Sequence, residues 1–187
     1  MEFDKVIEKR VSIRNYSSKD VPMDLIAEIC ESALHSPMAG NIFTPRLIII
    51  DDPKKRADIA EAAMEQYFIA DAPYLIIVCS DTTQLSRNYG EQAEKYSRQQ
   101  AGAAIENMLL KITSLGLASC WIGAFDEEKI KDLLHIPEHI KVEAIIPVAY
   151  SSKTQKISAR KKPDLKFITF FGKYGQTREK MPKRIHV

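Results

Sequence analysis

With 187 residues, 45% of them hydrophobic and 28% charged, the chain has the composition of a globular protein rather than a disordered or collagenous one, and it is long enough to bury a core without disulfides or a structural metal. Its 27 basic and 25 acidic residues leave a formal net charge of +2, too balanced to point by itself to a nucleic-acid partner. No stretch approaches the roughly 18 apolar residues of a membrane span, and the opening "MEFDKVIEKR" has no apolar leader, so neither secretion nor a membrane is expected.

Phe3, Val6 and Ile7 recur at helical spacing and predict a short first helix. In "EKRVSIRNYS" the period then changes to two, with Val11 and Ile13 on one side of an extended segment and Arg10, Ser12, Arg14 and Tyr16 on the other. Pro22 opens a helix through "MDLIAEICESALHS", with Leu25, Ile26, Ile29, Ala33 and Leu34 inward, and Ser36-Pro37 ends it. The loop "SPMAGNIFTP" follows, and then "RLIII", Arg46 to Ile50, a buried strand.

Pro53 to Ala70 reads as another helix and Tyr74 to Ser80 as a second buried strand. The polar segment after it, through Gly90, reads as a lid or a surface helix. From Arg98 a long small-residue helix buries Ala101, Ala104, Ile105, Met108, Leu109 and Ile112 and ends at Gly116. "LASCWIGAF" is a strand or loop, "DEEKIKDLLHI" a helix capped by Asp126, and Lys141 to Tyr150 a core strand. Helices and strands interleave without repeated βαβ units, and there is no internal repeat.

Several side chains carry chemistry in this pattern. Arg10 and Arg14 stand roughly 13 Å apart in an extended segment, which suits a long ligand with a phosphate at one end and an electron-accepting ring at the other; a solvated strand edge has the same spacing. Asn41 can donate and accept at once, as a heterocycle edge requires, or can simply serve its turn. Gly123 allows a backbone N–H to approach a ligand, beside Trp121, the only tryptophan. His135 and His139 have the four-residue spacing of zinc ligands, but Pro137 between them breaks that geometry and no metal is expected. Cys30, Cys79 and Cys120 are odd in number and form no C-x-x-C pair, as in a reduced, cytosolic protein, and Cys120 reads as a buried structural thiol. No dinucleotide fingerprint, P-loop or nucleophile elbow occurs.

Taken in order, "RVSIRNYSSKDVP", "ALHSPMAGNIFTPRLIII", "AIENMLLKITSLGLASCWIGAF" and "ARKKPDLKFITFF" resemble the successive signatures of the FMN-dependent nitroreductase family, over about Phe3 to Phe171. The resemblance implies an α+β fold, a three-layer sandwich whose central, mostly antiparallel sheet is flanked by helices. It implies one domain over residues 1–187, with the segment 151–187 extending over a partner subunit, and a homodimer holding FMN at its interface with the long helix at the dimer core. Arg10 and Ser12 would hold the FMN phosphate, and Arg14 the pyrimidine edge of its ring. Asn41 would contact the ring or the ribityl chain with Pro37 and Met38 lining it, Trp121 and Ile122 would lie along one ring face, and the Gly123 N–H would point at N5. Arg160, Lys161 or Lys162 would return to the phosphate. The loop after Asn41 departs from the family's usual Gln-Pro-Trp, and residues 84–97, with Tyr89 and Tyr96, fall where the family varies its substrate lid.

The function so implied is an oxidoreductase that takes a hydride from NADH or NADPH onto FMN and reduces a small-molecule acceptor, such as a nitroaromatic, a quinone or a flavin, by a ping-pong mechanism. No side-chain acid or nucleophile is required, and neither a nucleic acid nor a membrane is expected as a partner. The alternatives are a specialised branch, such as a reductive dehalogenase or a flavin-destroying enzyme, and a flavin-binding module without turnover.

Overall fold

The computed structural model describes residues 2–154 and 162–177. The chain divides into two units, residues 1–157 and 158–187.

In the first unit, α1 (Phe3–Lys9), β1 (Tyr16–Ser17) and α2 (Met23–Ala33) lead to β2 (Pro45–Ile50), α3 (Pro53–Ala62) and β3 (Tyr74–Ser80). They are followed by α4 (Thr83–Tyr89), α5 (Gln92–Ser114), β4 (Ala118–Ser119), α6 (Glu127–Leu134) and β5 (Lys141–Ser151). All strand pairs are antiparallel: β2 pairs with β3, and β3 with β5. Toward its end β5 also takes β4, at Val148 and Ala149, and β1, at Tyr150 and Ser151.

β3 is buried along Leu75–Ser80, which its continuous apolar run dictates, and its alternation sorts the core into two layers. Leu75, Ile77 and Cys79 pack with Ile59 of α3 and Ile130 of α6 on one face. Ile76 and Val78 pack with Ile26 and Ile29 of α2 and with Ala104, Ile105 and Met108 of α5 on the other. The result is the expected α+β sandwich of three layers.

Local signals place most boundaries. Asp52 caps α3, its Oδ1 accepting from the Lys55 N–H at 2.7 Å with Pro53 in the first turn, and Asp126 caps α6 through the Lys129 N–H at 3.2 Å. Four expectations need correction. The helix expected over Pro53–Ala70 ends at Ala62: Met64 and Glu65 take left-handed backbone (φ 56° and 57°), and a 3₁₀ turn covers Tyr67–Ile69. α5 starts at Gln92 rather than Arg98, because Ala93 and Ser97 extend its buried face backward. Phe3, Ile7 and Leu34 are exposed, so α1 buries only Val6 and α2 ends its apolar stripe at Ala33. The fourth, Tyr16, is turned into the core, because after Arg14 the chain leaves strict alternation to join β5.

In the second unit, a 3₁₀ turn at Leu165–Phe167 is capped by Asp164, and the Phe170 and Tyr174 rings lie 4.6 Å apart.

Candidate functional site

The stretch from Arg10 to Tyr16 runs between α1 and β1 and is held at both ends and in its middle. The Arg10 N–H closes α1 on the Val6 carbonyl at 2.9 Å, the Ile13 N–H donates to Ser119 O of β4 at 2.9 Å, and the Tyr16 hydroxyl donates back to Ile13 O at 2.6 Å. Ile13 and Tyr16 point inward, so Ser12 and Arg14 are left facing solvent. Arg10 is largely covered and pairs with Glu106 of α5 at 3.5 Å. Among the described residues, Arg14 and Ser12 make no salt bridge or side-chain hydrogen bond, and both groups stand available to an anionic or oxygen-rich ligand.

The Ile13 to Ser119 bond lays this stretch beside the turn that follows β4. In that turn Ile122 exchanges hydrogen bonds with Ile145 of β5 at 3.0 and 3.1 Å and buries its side chain in the core, so it contributes an anchor. On either side of it Trp121 and Gly123 are exposed. Trp121 leans on α5, where a Cβ at Gly102 would stand 4.0 Å from its ring. A Cβ at Gly123 would meet only Trp121 Nε1, at 3.9 Å, and the Gly123 N–H donates to no described group. Arg10 and Trp121 thus both meet α5, at Glu106 and Gly102.

Pro37, Met38 and Asn41 form a separate group. Gly40 and Asn41 both take left-handed backbone (φ 58° and 56°), and Tyr89 lies so close over Gly40 that a Cβ there would stand 2.7 Å from its hydroxyl. The Tyr89 ring meets Tyr96 edge-on at 5.3 Å. Pro37, Met38 and Ala39 line a groove of about 370 Å³ with Tyr96, Gln99 and Gln100 of α5. Gln100 accepts from the Thr44 N–H at 3.4 Å, while its buried Nε2 has no partner. No described hydrogen bond joins this group to the arginine stretch. Of the basic trio, Arg160 and Lys161 lie outside the described residues, and Lys162 is an exposed residue of the second unit.

Two side chains that sequence reasoning did not single out belong here. Gln100 sits inside a run read only as buried helix. Gln66 donates through Nε2 to Ala63 O at 2.8 Å and Ala124 O at 3.1 Å, next to Gly123. No residue in "AAMEQY" signals the backbone break that turns Gln66 around, since Ala, Met, Glu and Gln are all good helix formers.

Cys79 and Cys120 are buried and all three cysteines are free. Burial, with Glu143 and Glu127 nearby, pushes the Cys79 thiol up to about 12. Among the described residues no cluster of metal-ligating side chains occurs, and no helix is long and apolar enough to cross a membrane.

Residues 7–69 and 62–150 match the Nitroreductase family. An "NADH dehydrogenase" of Thermus thermophilus is 27% identical over 173 residues, covering 78% of this chain and 84% of that one. An "FMN reductase (NADPH)" of Bacillus subtilis is 24% identical over 143 residues, covering 69% and 57%. The crystal structure of a nitroreductase family protein from Clostridium novyi superimposes with a TM-score of 0.76 at 26% identity over 95% of this chain and 97% of that one. Fold, signatures and family match agree: the chain belongs to the Nitroreductase family.

Proposed function

We propose that the protein is an FMN-dependent oxidoreductase, reduced by NADH or NADPH and discharged by a small-molecule acceptor, and that it works as a homodimer. The observation that carries this reading is the bond from the Ile13 N–H to Ser119 O, which supports it by laying the stretch that bears an unpaired Arg14 beside the strand that leads into the open Gly123 N–H. FMN bound there would accept a hydride from the nicotinamide and pass the electrons on to the acceptor. The residues present fit such a group: the space before Gly123 is open, Trp121 offers a planar surface, and Ser12 and Arg10 offer a hydroxyl and a partly covered guanidinium for a phosphate.

Arg14 would act as a fixed cation beside the ring's pyrimidine edge, favouring the reduced, more negative flavin. Gly123 would donate its N–H toward the reacting nitrogen, which no larger residue could approach as closely. Ile122 would lock that turn to β5. Because Pro37, Met38 and Asn41 are not bonded to the arginine stretch within one chain, we place them on the site of a second copy, so that one flavin is held by two chains. The name of the Bacillus relative supports the cofactor and that of the Thermus relative the nicotinamide donor.

The test is an anaerobic absorbance spectrum of the FMN-loaded protein before and after adding NADH and then NADPH, with the mass in solution measured alongside. A flavin band that bleaches with either donor, in a particle of twice the chain mass, is the expected result. A protein that takes up no FMN overturns the reading.

A further inference from the structure

The backbone break after α3 is the most strained feature among the described residues, and its geometry has a definite target. Met64 and Glu65 are consecutive residues with side chains in left-handed backbone, a conformation in which Cβ crowds the following carbonyl. Such positions persist where the surrounding structure over-determines them, and they cluster at functional sites. Here they swing Gln66 back over the end of the helix, so that its carboxamide Nε2 reaches two carbonyls at once, Ala63 O and Ala124 O. The Asp126 N–H donates to Ala62 O at 2.8 Å in parallel. Two successive carbonyls at the end of α3 are therefore tied, one directly and one through Gln66, to the segment that begins one residue after Gly123.

We infer that Gln66 is a positioning residue: by tethering the Ala124 carbonyl to the end of α3, it anchors the chain just beyond Gly123 and so steadies the turn that carries the Gly123 N–H, whose own peptide is held through Ile122 O by Ile145. Ile122 fixes this turn on the near side through β5, and Gln66 fixes it on the far side. A donor aimed at developing charge is effective to the extent that its direction is held before the reaction, and a misplacement of about 1 Å costs rate far more than affinity. This inference rests on the proposed flavin site for its consequence in catalysis, though the tether itself can be tested without flavin.

The test is Gln66→Met, which keeps the length of the side chain and removes its donor. The bond to Ala124 is solvent-exposed, so the fold should survive. Trp121 is the only tryptophan, and its Nε1 lies against Gly123, so indole emission reports on this turn in the flavin-free protein. In Gln66→Met we expect acrylamide to quench Trp121 more readily than in the parent. In the FMN-loaded protein the flavin midpoint potential should fall and the rate constant for reduction by NADH should drop about ten-fold, the equivalent of one hydrogen bond of about 1.4 kcal/mol. FMN affinity should change less than that rate. Unchanged quenching overturns the inference, since a Gln66 that merely touched the ligand would leave the flavin-free turn as it was. Unchanged potential and rate with FMN bound also overturn it. If the parent protein itself takes up no FMN, the proposed function fails while the quenching comparison still decides whether Gln66 holds the turn.

Discussion

Replacing Tyr16 by phenylalanine removes one oxygen atom and tests how the core holds the arginine stretch. The hydroxyl is buried and donates to Ile13 O at 2.6 Å, and Ile13 in turn donates its N–H to Ser119 O at 2.9 Å. Loss of the hydroxyl forfeits one short hydrogen bond and leaves a carbonyl beneath the surface without that partner. Together these cost about 1–2 kcal/mol, between the net value of a bond and the full penalty of an orphaned acceptor. For a chain of this length each kcal/mol lowers the melting temperature by roughly 2–4 °C, so a fall of about 2–8 °C is expected. The assay is thermal unfolding followed by circular dichroism, with the flavin spectrum of the loaded protein recorded in parallel. Since the hydroxyl faces Ile13, the flavin band should keep its shape. An unchanged melting temperature, or a displaced flavin band at unchanged stability, would refute the reasoning and return Tyr16 to the ligand face.

Arg10→Ala should chiefly weaken FMN retention, by roughly ten- to a hundred-fold for one hydrogen bond to a charged group; titration with FMN checks it, and unchanged affinity removes Arg10 from the phosphate site. Arg14→Ala should lower the flavin potential and slow reduction more than it weakens binding, read by spectroelectrochemistry and stopped flow. Burial raises the Cys79 thiol to about 12 from an ordinary value of 9.0, and the buried Tyr16 hydroxyl is raised as well. The unfolded chain therefore sheds these protons first, so stability should be intact below about pH 9 and decline from there toward pH 12, with Cys79 inert to iodoacetamide at pH 8 until the protein is unfolded. Gly40→Ala should cost about 1–2 kcal/mol for left-handed backbone and displace Tyr89; adding Tyr89→Ala should give a double variant less destabilised than the sum of the singles, as denaturant melts would show.

What could be read from the chain was whatever is local. Strands such as Tyr74–Ser80 are continuous apolar runs, and helices such as Glu127–Leu134 announce their own caps, so interleaved helices and strands follow from periodicity, while the three-layer arrangement came from the family resemblance. The family signatures added which side chains to watch; of these Arg14 and Gly123 are exposed, while Arg10 is largely covered beside Glu106.

Tertiary structure decided the rest, because it depends on partners far away in sequence. Tyr16 has the same two-residue spacing as the arginines, yet it turns inward, since β1 pairs with the end of β5, 135 residues later at Tyr16 and Ser151. Ile122 is claimed by Ile145, leaving Trp121 and Gly123 to face outward. The stretch "AAMEQY" is helical by propensity, but the end of α3 is bonded to Ala124 and Asp126, and those bonds require a left-handed turn that no propensity favours. Local sequence sets which conformations are cheap; the long-range hydrogen bonds of the folded chain select among them, and here they select the costly one beside Gly123.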